Sequence, residues 1–189
     1  MLNSYCYLSV DKMFSLFFNL FKRRKENNKE YYEKTVGAYG GLFMHKDILN
    51  KCLPDEKLFV YFDDIDFTFR LRKQGARIFL VKDSKITDLD RTLANPDVKS
   101  YFSILRILEN IHSMNKQKLH YGYRNRIILE RRHLITNKFK YSFNRFIFSC
   151  VLFPLCCMLY FCIYGNIKNP RLIKQAIREG LEFEEKYRK

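Results

Sequence analysis

Asp63, Asp64 and Asp66 crowd into the stretch YFDDIDFTFRLRKQGARI, among Phe62, Ile65 and Phe67. A lone aspartate at a helix start caps it, because its carboxylate meets free amide N–H groups and the positive end of the dipole. Three acids exceed what capping needs. Like charges this close raise one another's pKa unless a cation or a donor relieves them. Such a set suits proton abstraction by one carboxylate while its neighbours position the group that loses the proton.

The elements that must hold these acids are legible on either side. Residues 36–44, VGAYGGLFM, are small and apolar, and their glycines suit close backbone approach or an irregular strand. A short helix over 45–53 is stopped near Pro54. Asp63 or Asp64 can cap a helix over 66–73, where Phe67 and Leu71 share a face and Gly75 ends it. Arg70 and Arg72 most simply pair with neighbouring acids. Residues 76–81, ARIFLV, predict a buried strand, and 85–89 a second short one. Before this block, 1–21 are aromatic-rich and partly helical, and 22–35 are a polar linker or exposed helix.

Downstream, 99–113 predict a well-buried helix, 119–135 a basic one and 171–189 a polar helical tail. Between them, 146–164 carries no charge over nineteen residues, close to the roughly 20 that a bilayer crossing needs. Pro154 interrupts it. Basic residues flank both ends (Lys138, Lys140 and Arg145; Lys168, Arg171 and Lys174), so charge asymmetry sets no orientation. A crossing and a helix lying on the cytoplasmic leaflet both stay open.

With 189 residues, 47% hydrophobic, the chain has ample material for a core. Its net charge of +15 implies anionic partners. From 116 to 145 there are nine Lys or Arg against one acid, Glu130, and this strip runs into the uncharged stretch. That favours an anionic membrane surface over nucleic acid, for which no motif is present. Cys150, Cys156, Cys157 and Cys162 lie within the apolar run and behave as small hydrophobes, while Cys6 and Cys52 are isolated. The pattern fits neither a disulfide framework nor a zinc site, and reads as reduced and cytoplasm-facing. His45, His112, His120 and His133 show no ligand spacing.

The run GGLFMHKDILNKCLPDEKLFVYFDDIDFTFRLRKQGARIFLV resembles the acceptor-side half of family 2 glycosyltransferases of the rhamnosyltransferase-like and galactofuranosyltransferase-like types. It shows their order of small-residue strand, short helix, acidic triplet, Arg-bearing helix, Gly and strand. HYGYRNRIILE is similar to the Tyr-Tyr-x-x-Arg-Asn element that follows in those proteins. The resemblance covers about 36–135. It implies an α/β fold, the C-terminal part of a GT-A type (Rossmann-like) domain, followed by a helical membrane-associating tail. The expected organisation is 1–35 as N-terminal segment, 36–135 as acceptor-side half and 136–189 as hydrophobic segment and basic tail.

By motif position the resemblance puts the general base on Asp64, with Asp63 and Asp66 orienting sugar hydroxyls and Gly40 and Gly41 leaving room for a sugar. Arg124 and Asn125 would bind diphosphate or a lipid-linked acceptor, with Tyr121 and Tyr123 packing on the core. A nucleotide-sugar donor, a saccharide or lipid-linked acceptor and a divalent cation (Mg²⁺ or Mn²⁺) are implied, in cell-surface polysaccharide synthesis at the cytoplasmic face of the membrane. Where many relatives place a metal-binding His, this chain has Asp88, which either ligates the cation or, with Asp90, makes a turn. No Asp-x-Asp precedes the acidic cluster. The expectation is therefore a truncated or split enzyme whose nucleotide-binding half comes from a separate chain. The alternative is a non-catalytic remnant or membrane-surface interaction module.

Overall fold

The computed structural model describes residues 30–50, 52–86 and 103–187. They belong to two compact units, one holding 30–86 and the other 103–187. The division falls well before residue 135, so the basic helix after residue 115 belongs with the C-terminal helices. This differs from the expected grouping of 36–135. The reason is packing: that helix buries its apolar face against the last helix of the chain.

In the first unit, β1 (Tyr31–Lys34) pairs antiparallel with β2 (Ile78–Val81), in the register Tyr31 to Val81 and Lys34 to Ile78. The polar segment expected as linker or exposed helix thus ends in a strand. Tyr31 meets Phe79 edge to face, and Glu33 bonds Arg77 at 3.3 Å. β2 is not the buried strand expected. Phe79, Leu80 and Val81 are exposed, because among the described residues β2 has one neighbouring strand and no layer covers these side chains. Helix α1 (Lys46–Leu49) is capped by His45, and a 3₁₀ turn over Glu56–Leu58 by Asp55. Helix α2 (Asp63–Lys73) carries the acids and buries Phe67 and Leu71, the apolar pair one turn apart.

In the second unit, α3 (Ser103–Ser113) leads through Asn115, which caps the next helix, into α4 (Lys116–Leu129). A π turn over Glu130–Leu134 extends α4. After Asn137 caps it, α5 (Lys138–Ile147) continues through a π turn (Phe148–Leu152) into α6 (Phe153–Tyr164). The wider turn sits just ahead of Pro154, whose ring would clash with the carbonyl four residues earlier in a regular helix. Gly165, with φ +67°, ends α6.

Helix α7 (Lys168–Tyr187) is more than a polar tail. Pro170, Ile173, Ala176, Gly180 and Phe183 are buried along one stripe. A Cβ on Gly180 would lie 2.7 Å from the Arg124 carbonyl oxygen and 2.9 Å from Ile127 Cβ. Glycine there lets α7 and α4 approach backbone to side chain. The buried pair Arg126 and Glu130 closes at 3.3 Å within α4, and Arg131 donates to the Leu181 carbonyl.

Candidate functional site

The acids occupy the first turn of α2, but none of them is its N-cap. Phe62 holds that position in the left-handed conformation, φ +67°, without a side-chain cap. The Asp64 carboxylate instead accepts from the Ile65 N–H at 2.7 Å and from the Tyr39 backbone N–H. It thereby ties the start of α2 to the glycine-bearing segment. Burial holds the Asp64 carboxyl above the usual aspartate range. Backbone donors, its own N–H among them, pull it down and the neighbouring Asp63 charge pushes it up, with a net shift upward. A carboxylate destabilised by desolvation is the form of base that accepts a proton most readily.

Asp63 is partly exposed and makes no hydrogen bond or ion pair among the described residues. Asp66 differs from both. It is fully buried and bonded to Arg70 at 2.8 Å, the pairing the spacing suggested, and its carboxylate points into the protein. Arg72 reaches the Lys34 carbonyl at 2.8 Å and lies 4.0 Å from Glu33.

The segment over the acids is held by Thr68, a fully buried residue one turn after Asp64. Its hydroxyl accepts from the Gly37 N–H at 3.1 Å and donates to the Asp64 carbonyl at 2.8 Å. Tyr39 lies above α2, its ring 5.9 Å from that of Phe67. Partial burial and the charges of Asp63 and Asp64 push its phenol up to about 12. Tyr39 and Thr68 were not singled out from sequence. Their signals were an aromatic among glycines in GAYGG and a polar residue within the buried stripe of α2.

The two glycines part company. Gly40 is exposed, with nothing within 4 Å of where a Cβ would go. At Gly41, φ is +74° and the space a Cβ would take is filled by Ile86 Cδ1. Its need for glycine is therefore met by the fold itself.

Arg124 and Asn125 lie in the other unit, on α4. Asn125 is fully buried and accepts from Arg124 Nε at 2.9 Å. The Arg124 guanidinium stacks on Tyr121 at 5.0 Å and on Phe183 at 5.5 Å. Asp88 and Asp90 lie outside the described residues. Among the described residues no three His, Cys, Asp or Glu side chains gather as a metal-binding group. Of the acids on α2, Asp66 is taken up by Arg70.

A scan against protein-family models finds no match, and searches of curated proteins and of solved structures find none either.

Proposed function

We propose that the chain is the acceptor-side half of a membrane-associated family 2 glycosyltransferase, with Asp64 as general base. The observation that carries this reading is the Asp64 carboxyl: half-buried, raised above its ordinary pKa, and set on the first turn of a helix beside Asp63. In the step proposed, an acceptor hydroxyl oxygen bonds to the anomeric carbon of a nucleotide-sugar. The bond from that carbon to the diphosphate breaks, and the hydroxyl proton passes to Asp64. Asp63 orients the acceptor hydroxyls. Asp66 acts through Arg70, holding the turn in shape. Arg124 and Asn125 take no part in this step, since Asn125 is buried against Arg124 in the other unit, and the apolar helix keeps the chain at the cytoplasmic face of an anionic membrane.

A second reading, a non-catalytic membrane-surface module, is favoured by one observation. The backbone bonds from Ile65 and Tyr39 to Asp64 also suffice to tie down a helix start. Asp64→Asn separates the two. In the transferase reading it lowers transfer from nucleotide-sugars by about 10²–10⁴-fold with the circular dichroism spectrum retained. Undiminished turnover in that variant, or no saturable nucleotide-sugar binding by the wild-type chain with or without a nucleotide-binding partner chain, leaves the second reading standing.

A further inference from the structure

The helix formed by α5, its π turn and α6 covers Lys138–Tyr164, 27 residues, and is long and apolar enough to cross a membrane. Of its most apolar window, 6% is buried within the protein. At about 1.5 Å per residue it measures roughly 40 Å, more than the hydrocarbon core of a bilayer. Length alone permits a crossing. What decides the matter is where its two ends are held.

The C-terminal end is fixed beside the start of α4. The Tyr160 hydroxyl lies 3.0 Å from His112 Nδ1, and the Tyr164 ring stacks on the same imidazole at 3.9 Å. His112 belongs to the last turn of α3, just before Asn115 caps α4. Asn169, past the end of α6, donates to the Ile111 carbonyl at 2.7 Å and closes the same corner. The N-terminal end follows the last residue of the α4 π turn after Ile135, Thr136 and Asn137. Thus α4 joins one end of the apolar helix to the other. Were that helix to cross a bilayer, α4 would have to cross with it. It would carry Lys118, Arg124, Arg126, Glu130, Arg131 and Arg132 into hydrocarbon, at about 2.5–3.5 kcal/mol for each basic or acidic residue near the centre. Helix α7, packed on α4 at Gly180 and bonded to it from Glu179 to His120 at 3.1 Å, would follow.

The surface of the helix is suited to lipid contact. Phe139, Phe143 and Phe146 recur along one stripe of α5 and are 82%, 55% and 65% exposed. Lys138, Lys140 and Arg145 stand exposed beside them. From the π turn through α6, Val151, Leu155, Met158, Phe161, Cys162 and Ile163 are exposed, while Tyr160 and Tyr164 meet His112 of α3. The helix is open and apolar over most of its surface, is held to α3 near its C-terminal end, and is rimmed with positive charge in its N-terminal half. The exposed Phe stripe and basic rim of α5 suit an anionic lipid surface.

We infer that Lys138–Tyr164 lies in the plane of an anionic membrane leaflet, with both of its ends on the same side. The inference stands apart from the transferase reading, since it depends on no reaction.

The test uses the full chain added to preformed vesicles of phosphatidylcholine and phosphatidylglycerol in equal parts. Flotation with these vesicles is expected, with weak flotation on phosphatidylcholine alone. Phe139→Ser, Phe143→Ser and Phe146→Ser combined should lower partition at least about tenfold, since each removes exposed apolar area from lipid contact. These positions are exposed, so circular dichroism should be unchanged. For sidedness, Thr136→Cys and Lys168→Cys are placed singly in a chain whose native cysteines are replaced by serine. Each should react fully with a membrane-impermeant maleimide before detergent is added. Protection of one of them until detergent opens the vesicles means a crossing and overturns the inference. So does an absence of flotation, flotation as strong on neutral vesicles, or partition unaffected by the three Phe changes.

Discussion

Asp66 and Arg70 close a 2.8 Å ion pair across one turn of α2, and the same guanidinium donates to the Leu53 carbonyl at 2.8 Å. The acid is fully buried, and Arg70 faces it with its charge. Through this arginine the loop before the 3₁₀ turn is fastened to the helix that carries the acids. Asp66→Asn leaves Arg70 without its charge partner and should cost about 1.5–3 kcal/mol of stability, as for hydrogen bonds to charged groups. Urea denaturation followed by circular dichroism reads this as a lower midpoint. A midpoint equal to wild type would mean that the pair contributes nothing.

Two glycines in helices should respond to alanine with opposite signs. Gly180→Ala places a methyl group 2.7 Å from the Arg124 carbonyl oxygen, so the α4–α7 contact must open. The overpacking cost of about 1–3 kcal/mol exceeds or cancels the gain of about 1 kcal/mol in helix propensity. Gly122, inside α4, has open space where a Cβ would go, so Gly122→Ala should stabilise by up to about 1 kcal/mol. Thermal melts of the two variants against wild type check the contrast.

The raised pKa of Asp64 has a stability consequence of definite sign. The folded state binds this proton more tightly than the unfolded chain, so the contribution is fully present below the ordinary aspartate pKa. It is lost as pH rises through the higher folded value. Asp64→Asn removes that loss. The variant should match wild type at low pH and gain on it as pH climbs from the ordinary carboxylate range toward neutrality. Denaturation midpoints across that range test the trend, and a gap that shrinks with rising pH would contradict the burial that causes the shift. Transfer activity, where Asp64 must be deprotonated, should rise through the same window.

Tyr39 should remain protonated until about pH 12, well after an exposed tyrosine has ionised. The difference between ultraviolet titrations of wild type and Tyr39→Phe isolates it. Asp63→Asn removes one of the charges that raise it and should bring its ionisation to lower pH. An ionisation near the ordinary tyrosine value in wild type would place the ring away from the acids.

Local signals in the sequence carried well where the physics is local. The Asp66 and Arg70 pairing, the buried Phe67 and Leu71 face, and the stop at Gly75 all follow from helical spacing and appear in α2. So do the long helices, within a few residues at their ends. Features that depend on distant partners were hidden. Tyr31–Lys34 reads as polar linker because its strand character comes from pairing with a segment more than forty residues later. The buried stripe of α7 escaped notice because Ala176 and Gly180 are small, and their value lies in how closely α4 approaches. Asp63 or Asp64 was expected to cap α2. The backbone instead delivers Phe62 to the cap in a left-handed conformation, which no side-chain pattern announces.

That conformation is shared by its neighbourhood. Phe59, Tyr61 and Phe62 all have positive φ, at 30°, 63° and 67°, though none is glycine. Such geometry costs an L-residue roughly 1–2 kcal/mol apiece. The acid-bearing turn is thus cocked by three aromatic residues and kept in place from outside, by the Arg70 clasp and the Thr68 peg. Loosening either fastener would let these aromatics relax into ordinary backbone and carry the carboxylates out of register. An occupant that gripped the formed turn would reinforce both, and slower amide exchange over residues 59–66 would betray its arrival before any product was seen.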